Sequence, residues 1–318
     1  MRDSSDTPTT EPDPLIGREI RHLRIVERIG QGGMGAVYKA EHALLHEPRA
    51  LKVLRTELFG SVPNAVERFE REARIAVKLR HPNLVLLYDF FVEEDHHFLV
   101  MEYVMGTSLA AFLREHGALS VEGTCRIGIQ CCAGLSHAHE MGIIHRDLSP
   151  ENVMLASSES GMSVKIIDFG VARAAFGPRG QTLVRAERTL TGANEFIGKP
   201  AYASPEQAGA LPRGEVLDHR SDIYTLGLIL FEMATGQPPF SADTPFDYLS
   251  QHVHEPPPRP TELAPDLGIP IDLERVILRC LEKERDRRYA TARELSAALE
   301  WAWRASAARA APATVSRG

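Results

Sequence analysis

His145-Arg146-Asp147-Leu148-Ser149-Pro150-Glu151-Asn152, followed sixteen residues after Asn152 by Asp168-Phe169-Gly170, is the stretch from which the rest of the chain is read. Asp147 is a carboxylate that could take a proton from an attacking hydroxyl. Asn152 and Asp168 supply hard oxygen atoms of the kind magnesium prefers. Taken one at a time, each is equally an Asp or Asn that caps a loop. Upstream, Gly30-Gln31-Gly32-Gly33-Met34-Gly35 separates two strand-like runs, LRIVERIG (23–30) and AVYKAEH (36–42). Glycines let a backbone approach phosphate oxygens and offer its N–H groups. A dinucleotide-binding unit would place a helix after them. A strand follows here, which leaves a phosphate-covering hairpin or a plain turn. A third run, RALKVL (49–54), carries Lys52. A lysine facing inward needs an anion. Glu70 and Glu72 in the next helical stretch (64–79) both qualify, and spacing does not choose between them.

Composition narrows the classes further. The chain has 318 residues, 43% hydrophobic and 25% charged, with a net charge of −7. This is globular composition, enough for about two structural lobes, and it argues against a nucleic-acid surface. Cys125, Cys131, Cys132 and Cys280 form no C-x-x-C pair, so free thiols in a reducing compartment are expected. The polar N-terminus is not a signal peptide. The most apolar stretch, Ile223 to Ala234, is too short to span a bilayer and reads as a buried helix. Together these predict a soluble cytoplasmic protein without a membrane segment. The first hundred residues read as an antiparallel sheet with one helix, and the remainder as mostly helical. The Pro- and Thr-rich residues 1–22 are expected to be disordered, and residues 304–318 to form a flexible tail. His96-His97 and His137/His139 lack further ligands and read as surface or packing residues. Of Trp301 and Trp303, one is expected on the core.

In this order, the signatures make the chain resemble the eukaryotic-type protein kinases, in particular their bacterial Ser/Thr branch, over roughly residues 24–300. The resemblance implies the bilobal α+β kinase fold, with a small antiparallel-sheet lobe (23–104) and a larger mainly helical lobe (105–303). It implies ATP and Mg²⁺ as cofactors and protein substrates with Ser or Thr acceptors, with a homodimer as one route to autophosphorylation. The loop of Gly30, Gly32 and Gly35 would cover the phosphates. Lys52 would hold them and pair with Glu72. Met101 would be the gatekeeper, and Glu102 to Val104 the hinge that bonds adenine. Ile29, Gly33, Val37, Ala50 and Met154 would also contribute to the nucleotide site. Asp147 would be the catalytic base, with Asn152 and Asp168 as metal ligands. Arg146 would receive a phosphorylated activation-loop residue, with Thr189 and Thr191 as the candidates. Glu206, in Ser204-Pro205-Glu206, should pair with Arg288, and Asp222 should tie the catalytic loop to a buried helix.

Two positions depart from the family pattern. Ser149 stands where Ser/Thr kinases carry a lysine that contacts the transferred phosphate, and Lys199 stands where they carry a threonine. In the family fold these positions face each other. The reading is that the positive charge has moved to Lys199, with Ser149 taking the place of the hydroxyl. The alternative is a nucleotide-binding pseudokinase, in which Ser149 marks lost activity.

Overall fold

The structure is a computed structural model. It describes residues 13–33, 35–54, 65–94, 96–158, 161–169, 199–212 and 214–310. They fall into two compact units, one up to Leu58 together with Leu87–Tyr103, the other from Phe59 to Leu86 and from Val104 onward.

The first unit is a six-stranded antiparallel sheet in the order β1-β2-β3-β4-β6-β5. Its strands are β1 (Glu19–Ile20), β2 (Leu23–Gly32), β3 (Gly35–His42), β4 (Pro48–Leu54), β5 (Leu87–Glu93) and β6 (His96–Glu102). Side chains alternate across such a sheet. Tyr38, Leu51, Val53, Phe98 and Val100 therefore gather on one face, with Ile25 and Phe91, as the core. Residues 13–22, expected to be disordered, belong to this unit. Ile20 is buried in the core cluster, and Leu15 packs against it. The Tyr38 hydroxyl donates to Asp13 at 3.1 Å, and Arg28 pairs with the same carboxylate at 3.3 Å. Polar composition hid two apolar anchors and one well-placed anion. Residues 1–12 lie outside the described residues.

The second unit holds the helices α1 (Ala65–Ala76), α2 (Leu109–His116), α3 (Val121–Glu140), α4 (Arg220–Thr235), α5 (Pro245–His254), α6 (Pro260–Leu263), α7 (Ile271–Cys280) and α8 (Ala292–Ala310). It also holds a small sheet of β7 (Thr107–Ser108), β8 (Val153–Ser158) and β9 (Gly161–Ile166). In α4 every residue but Arg220 and Glu232 is buried, as an all-round apolar helix requires. Its Gly227 is imposed by packing, since a Cβ there would lie 2.5 Å from the Cys280 Cβ. All four cysteines are free and buried, and burial raises each thiol pKa. Residues 304–310 continue α8 and are not a tail. Their Ala-rich sequence favours helix, and Arg309 pairs with Asp272 of α7. Trp301 is exposed, and Trp303 lies under the Arg126 guanidinium, 5.1 Å from its ring centroid. Neither tryptophan is a core residue. Among the described residues, no helix is long and apolar enough to cross a membrane.

Candidate active site

In the first unit, register brings the candidate nucleotide residues onto one sheet face. Val37 pairs with Lys52, Lys52 with Leu99, and Ala50 with Met101. Val37, Ala50, Lys52 and Met101 therefore share the face opposite Tyr38 and Leu51. Lys52 is buried. Ile29 is exposed in β2, three residues before its end, and Glu102 closes β6. The glycines divide into two kinds. Gly35 has φ 152°, and a Cβ there would meet the Val53 carbonyl oxygen at 1.9 Å, so packing of β3 on β4 demands it. A Cβ on Gly32 or Gly33 would meet nothing within 4 Å. Packing does not explain these two. Met34 lies outside the described residues.

In the second unit, Glu72 lies on α1 beside the buried stripe Ala65, Phe69, Ala73 and Ala76. Its rival Glu70 pairs locally with Arg74 at 2.8 Å. Val104 and Met154 are half-buried.

The loop at 145–152 is fixed from three sides. Buried Asp222 at the start of α4 accepts hydrogen bonds from the backbone N–H groups of His145 (2.8 Å) and Arg146 (3.0 Å) and from His139 Nε2 (2.8 Å). Burial alone would raise the Asp222 carboxyl, but the hydrogen bonds from His139 and from the His145 N–H hold it below the usual range. Arg146 has φ 63°, a left-handed conformation that costs a non-glycine residue about 1–2 kcal/mol. Its N–H is held by Asp222, and its carbonyl accepts from Gln207 Nε2 at 2.7 Å. Anchors on both sides of the residue keep it there. His145 is fully buried, which pushes its imidazole down. Its Nδ1 accepts from the Asp147 N–H at 3.2 Å, and its Nε2 donates to the Ile167 carbonyl at 3.0 Å.

The same bonds draw Asp168 to the loop. The Ile167 N–H donates to the Asn152 carbonyl at 2.9 Å, and Asn152 Nδ2 donates to the Asp147 carbonyl at 2.7 Å. With its nitrogen so engaged, the Asn152 side-chain oxygen is left as an acceptor. Asp168 itself has φ 61°, a second left-handed residue at the same place. An amide oxygen and a carboxylate here are a donor set that suits Mg²⁺, so the residues fit the metal.

Ser149 and Lys199 meet. Lys199 Nζ donates to Ser149 Oγ at 2.8 Å and to Glu151 Oε2 at 2.9 Å. Ser149 is fully buried, while Lys199 is 36% and Glu151 51% exposed. Burial raises the Glu151 carboxyl, but the Lys199 hydrogen bond and charge outweigh it and hold the group below its ordinary value. Thr189 and Thr191 lie outside the described residues.

Several residues of this site were missed from sequence. His139, read as packing, orients Asp222. Tyr202 donates a short hydrogen bond to Glu232 of α4. His252 on α5 donates from Nε2 to the Ala201 carbonyl at 3.1 Å, and its Nδ1 accepts from the Tyr224 hydroxyl at 3.1 Å. It thereby holds the segment that begins at Lys199. Burial, then the Lys283 charge, pushes the His252 imidazole down to about 4. In the unfolded chain it titrates near its ordinary 6.5. Between those values the unfolded chain binds a proton that the folded one does not, so acidification through that window destabilises the fold by roughly 3 kcal/mol at most. The denaturation midpoint should fall as pH drops from 6.5 to 4, and His252→Gln should flatten that slope. An equally steep slope in the variant would show that other groups carry the effect.

A family model described as the protein kinase domain matches residues 23–301. The serine/threonine-protein kinase pkn3 of Myxococcus xanthus is 40% identical over 299 residues, covering 92% of this chain and 52% of its own length. PknB of Mycobacterium tuberculosis is 38% identical over 294 residues, covering 91% of this chain and 44% of its own length. The chain thus spans about half or less of the length of the curated relatives it matches. Among solved structures, Rad53 1–466 in complex with AMP-PNP has a TM-score of 0.69 at 26% identity, covering 89% of this chain and 65% of that one. The kinase domain of PknI from Mycobacterium tuberculosis matches with a TM-score of 0.66 at 24% identity, over 90% of this chain and 98% of that one.

Proposed function

Because the chain belongs to the protein kinase domain family and has its α+β fold, we propose that it transfers the γ-phosphoryl group of ATP, with Mg²⁺, to Ser or Thr hydroxyls of proteins. The observation that carries this is the pair of bonds that joins Asp147, Asn152 and the Asp168 segment into one locus. Bound Mg²⁺ would neutralise phosphate charge, held by Asn152 and Asp168. Asp147 would orient the acceptor hydroxyl and take its proton. Lys199 would supply the positive charge for the transferred group, and Ser149 would hold the lysine. Lys52 would hold the α- and β-phosphates. Gly30, Gly32 and Gly33 would offer backbone N–H groups, and Ile29, Val37, Ala50, Met101, Glu102, Val104 and Met154 would contact the nucleoside. Catalysis then rests on positioning and electrostatics. Activation-loop autophosphorylation at Thr189 or Thr191, with Arg146 receiving the phosphate, completes the proposal.

The test is incubation of the purified protein with Mg·ATP and a generic protein acceptor, with phosphosites mapped by mass spectrometry. Asp168→Ala protein serves as the background control. Phosphoserine or phosphothreonine above that background supports the reading. ATP binding without any transfer would turn it into the pseudokinase.

A further inference from the structure

Glu151 has no role in the reaction as described, yet it accepts a hydrogen bond from Lys199. An ammonium has three N–H donors. Lys199 directs one to Ser149 Oγ at 2.8 Å and one to Glu151 Oε2 at 2.9 Å. Lys199 thus bridges the two side chains, with buried Ser149 as its fixed end.

The pair of charges alone would do little, because exposed ion pairs contribute little to stability. The two bonds together fix two donors of a long, flexible side chain and so give the third a set direction. Lys199 needs this help because it reaches the loop from a distant segment, on extended backbone (φ −102°, ψ 99°) just before Pro200.

We propose that Glu151 is a positioning residue that holds the relocated Lys199 ammonium in place for the transferred phosphoryl group. This rests on the reading of the chain as an active kinase. The competing role for Glu151 is direct contact with the acceptor protein, since it lines a cavity of about 400 Å³ with Tyr202, Asp243 and Tyr248.

The test has two arms. In the first, Lys199 is acetylated with a water-soluble succinimidyl ester without ATP, and its rate is read by mass spectrometry against other lysines. Glu151→Ala should raise that rate several-fold, because the amine loses its anion and its tether. Glu151→Gln should stay near wild type, because its amide oxygen still accepts from Nζ. In the second arm, Glu151→Ala should lower kcat about tenfold with the KM for acceptor peptide unchanged. Glu151→Gln should restore most of it, and in a Lys199→Ala background Glu151→Ala should cost nothing more. Unchanged labelling in Glu151→Ala overturns the tethering of Lys199 by Glu151. A raised peptide KM that persists without Lys199 overturns the positioning role in favour of acceptor contact. If the wild type transfers no phosphate, the kinase reading falls and the phosphate-directed role with it. The labelling arm distinguishes that failure from failure of the tether.

Discussion

Lys199→Ala should lower kcat for phosphotransfer by about 10²–10³-fold, the cost typical of removing one preorganised group that stabilises transition-state charge. Ser149 occupies the position two residues after Asp147, and it is uncharged and buried. The ammonium that touches it comes from Lys199, fifty residues away in sequence. Removing that charge leaves the metal-ligand candidates Asn152 and Asp168 untouched, so ATP binding should change far less than kcat. Stability should hardly move, because Lys199 is 36% exposed and its ion partner Glu151 is more so. The reciprocal variant Ser149→Lys/Lys199→Thr restores the family's own arrangement and should return kcat to within about tenfold of wild type. Steady-state kinetics on wild type, Ser149→Lys, Lys199→Thr and the double variant, with thermal melts as the folding control, measure the coupling. Wild-type turnover by Lys199→Ala would show that the charge contributes nothing.

How far the sequence led depended on whether partners lie close together along it. The HRDLSPEN and DFG segments are contiguous, and so they were legible at sight. The Ser149–Lys199 contact was legible for another reason, since two complementary departures point at each other once a fold is assumed. Glu206 with Arg288 and Asp222 with the catalytic loop followed from the same resemblance, and their bonds are present. His139, Gln207 and His252 were invisible. Each acts through one hydrogen bond to a backbone or carboxylate 51 to 83 residues away, and no spacing rule encodes such pairs. Glu151 was quoted but given no role, because its partner lies across the same loop-to-segment contact. In residues 13–22 and 304–310, the described parts of the terminal segments, average composition hid structure. Residues 13–22 look polar as a group, yet Ile20 and Asp13 individually bind them to the sheet.

Arg288→Met should destabilise the fold by about 3–5 kcal/mol, the cost of leaving one member of a buried ion pair alone. Arg288 Nη1 lies 2.6 Å from Glu206 Oε1, with side-chain exposures of 0% and 6%. The guanidinium also donates to three carbonyls, those of Glu282 (2.7 Å), Arg220 (3.0 Å) and Lys283 (2.9 Å), and lies 4.9 Å from the Tyr224 ring centroid. Methionine replaces the volume but strands the Glu206 carboxylate and all three carbonyls away from water. At the scaling for a unit of this size, the loss should lower Tm by on the order of 10 °C. Glu206→Gln should cost less, because an amide oxygen still accepts from Nη1. The double variant Glu206→Leu/Arg288→Met should recover part of the loss, since no buried charge remains, though the orphaned carbonyls keep it below wild type. Those carbonyls belong to the start of α4 and to the segment before Arg288. The pair therefore fastens the stretch that begins at Lys199 to the helix that carries Asp222. Unfolding at a wild-type midpoint by Arg288→Met would mean that water reaches Glu206, and the pair would then contribute nothing to holding that segment.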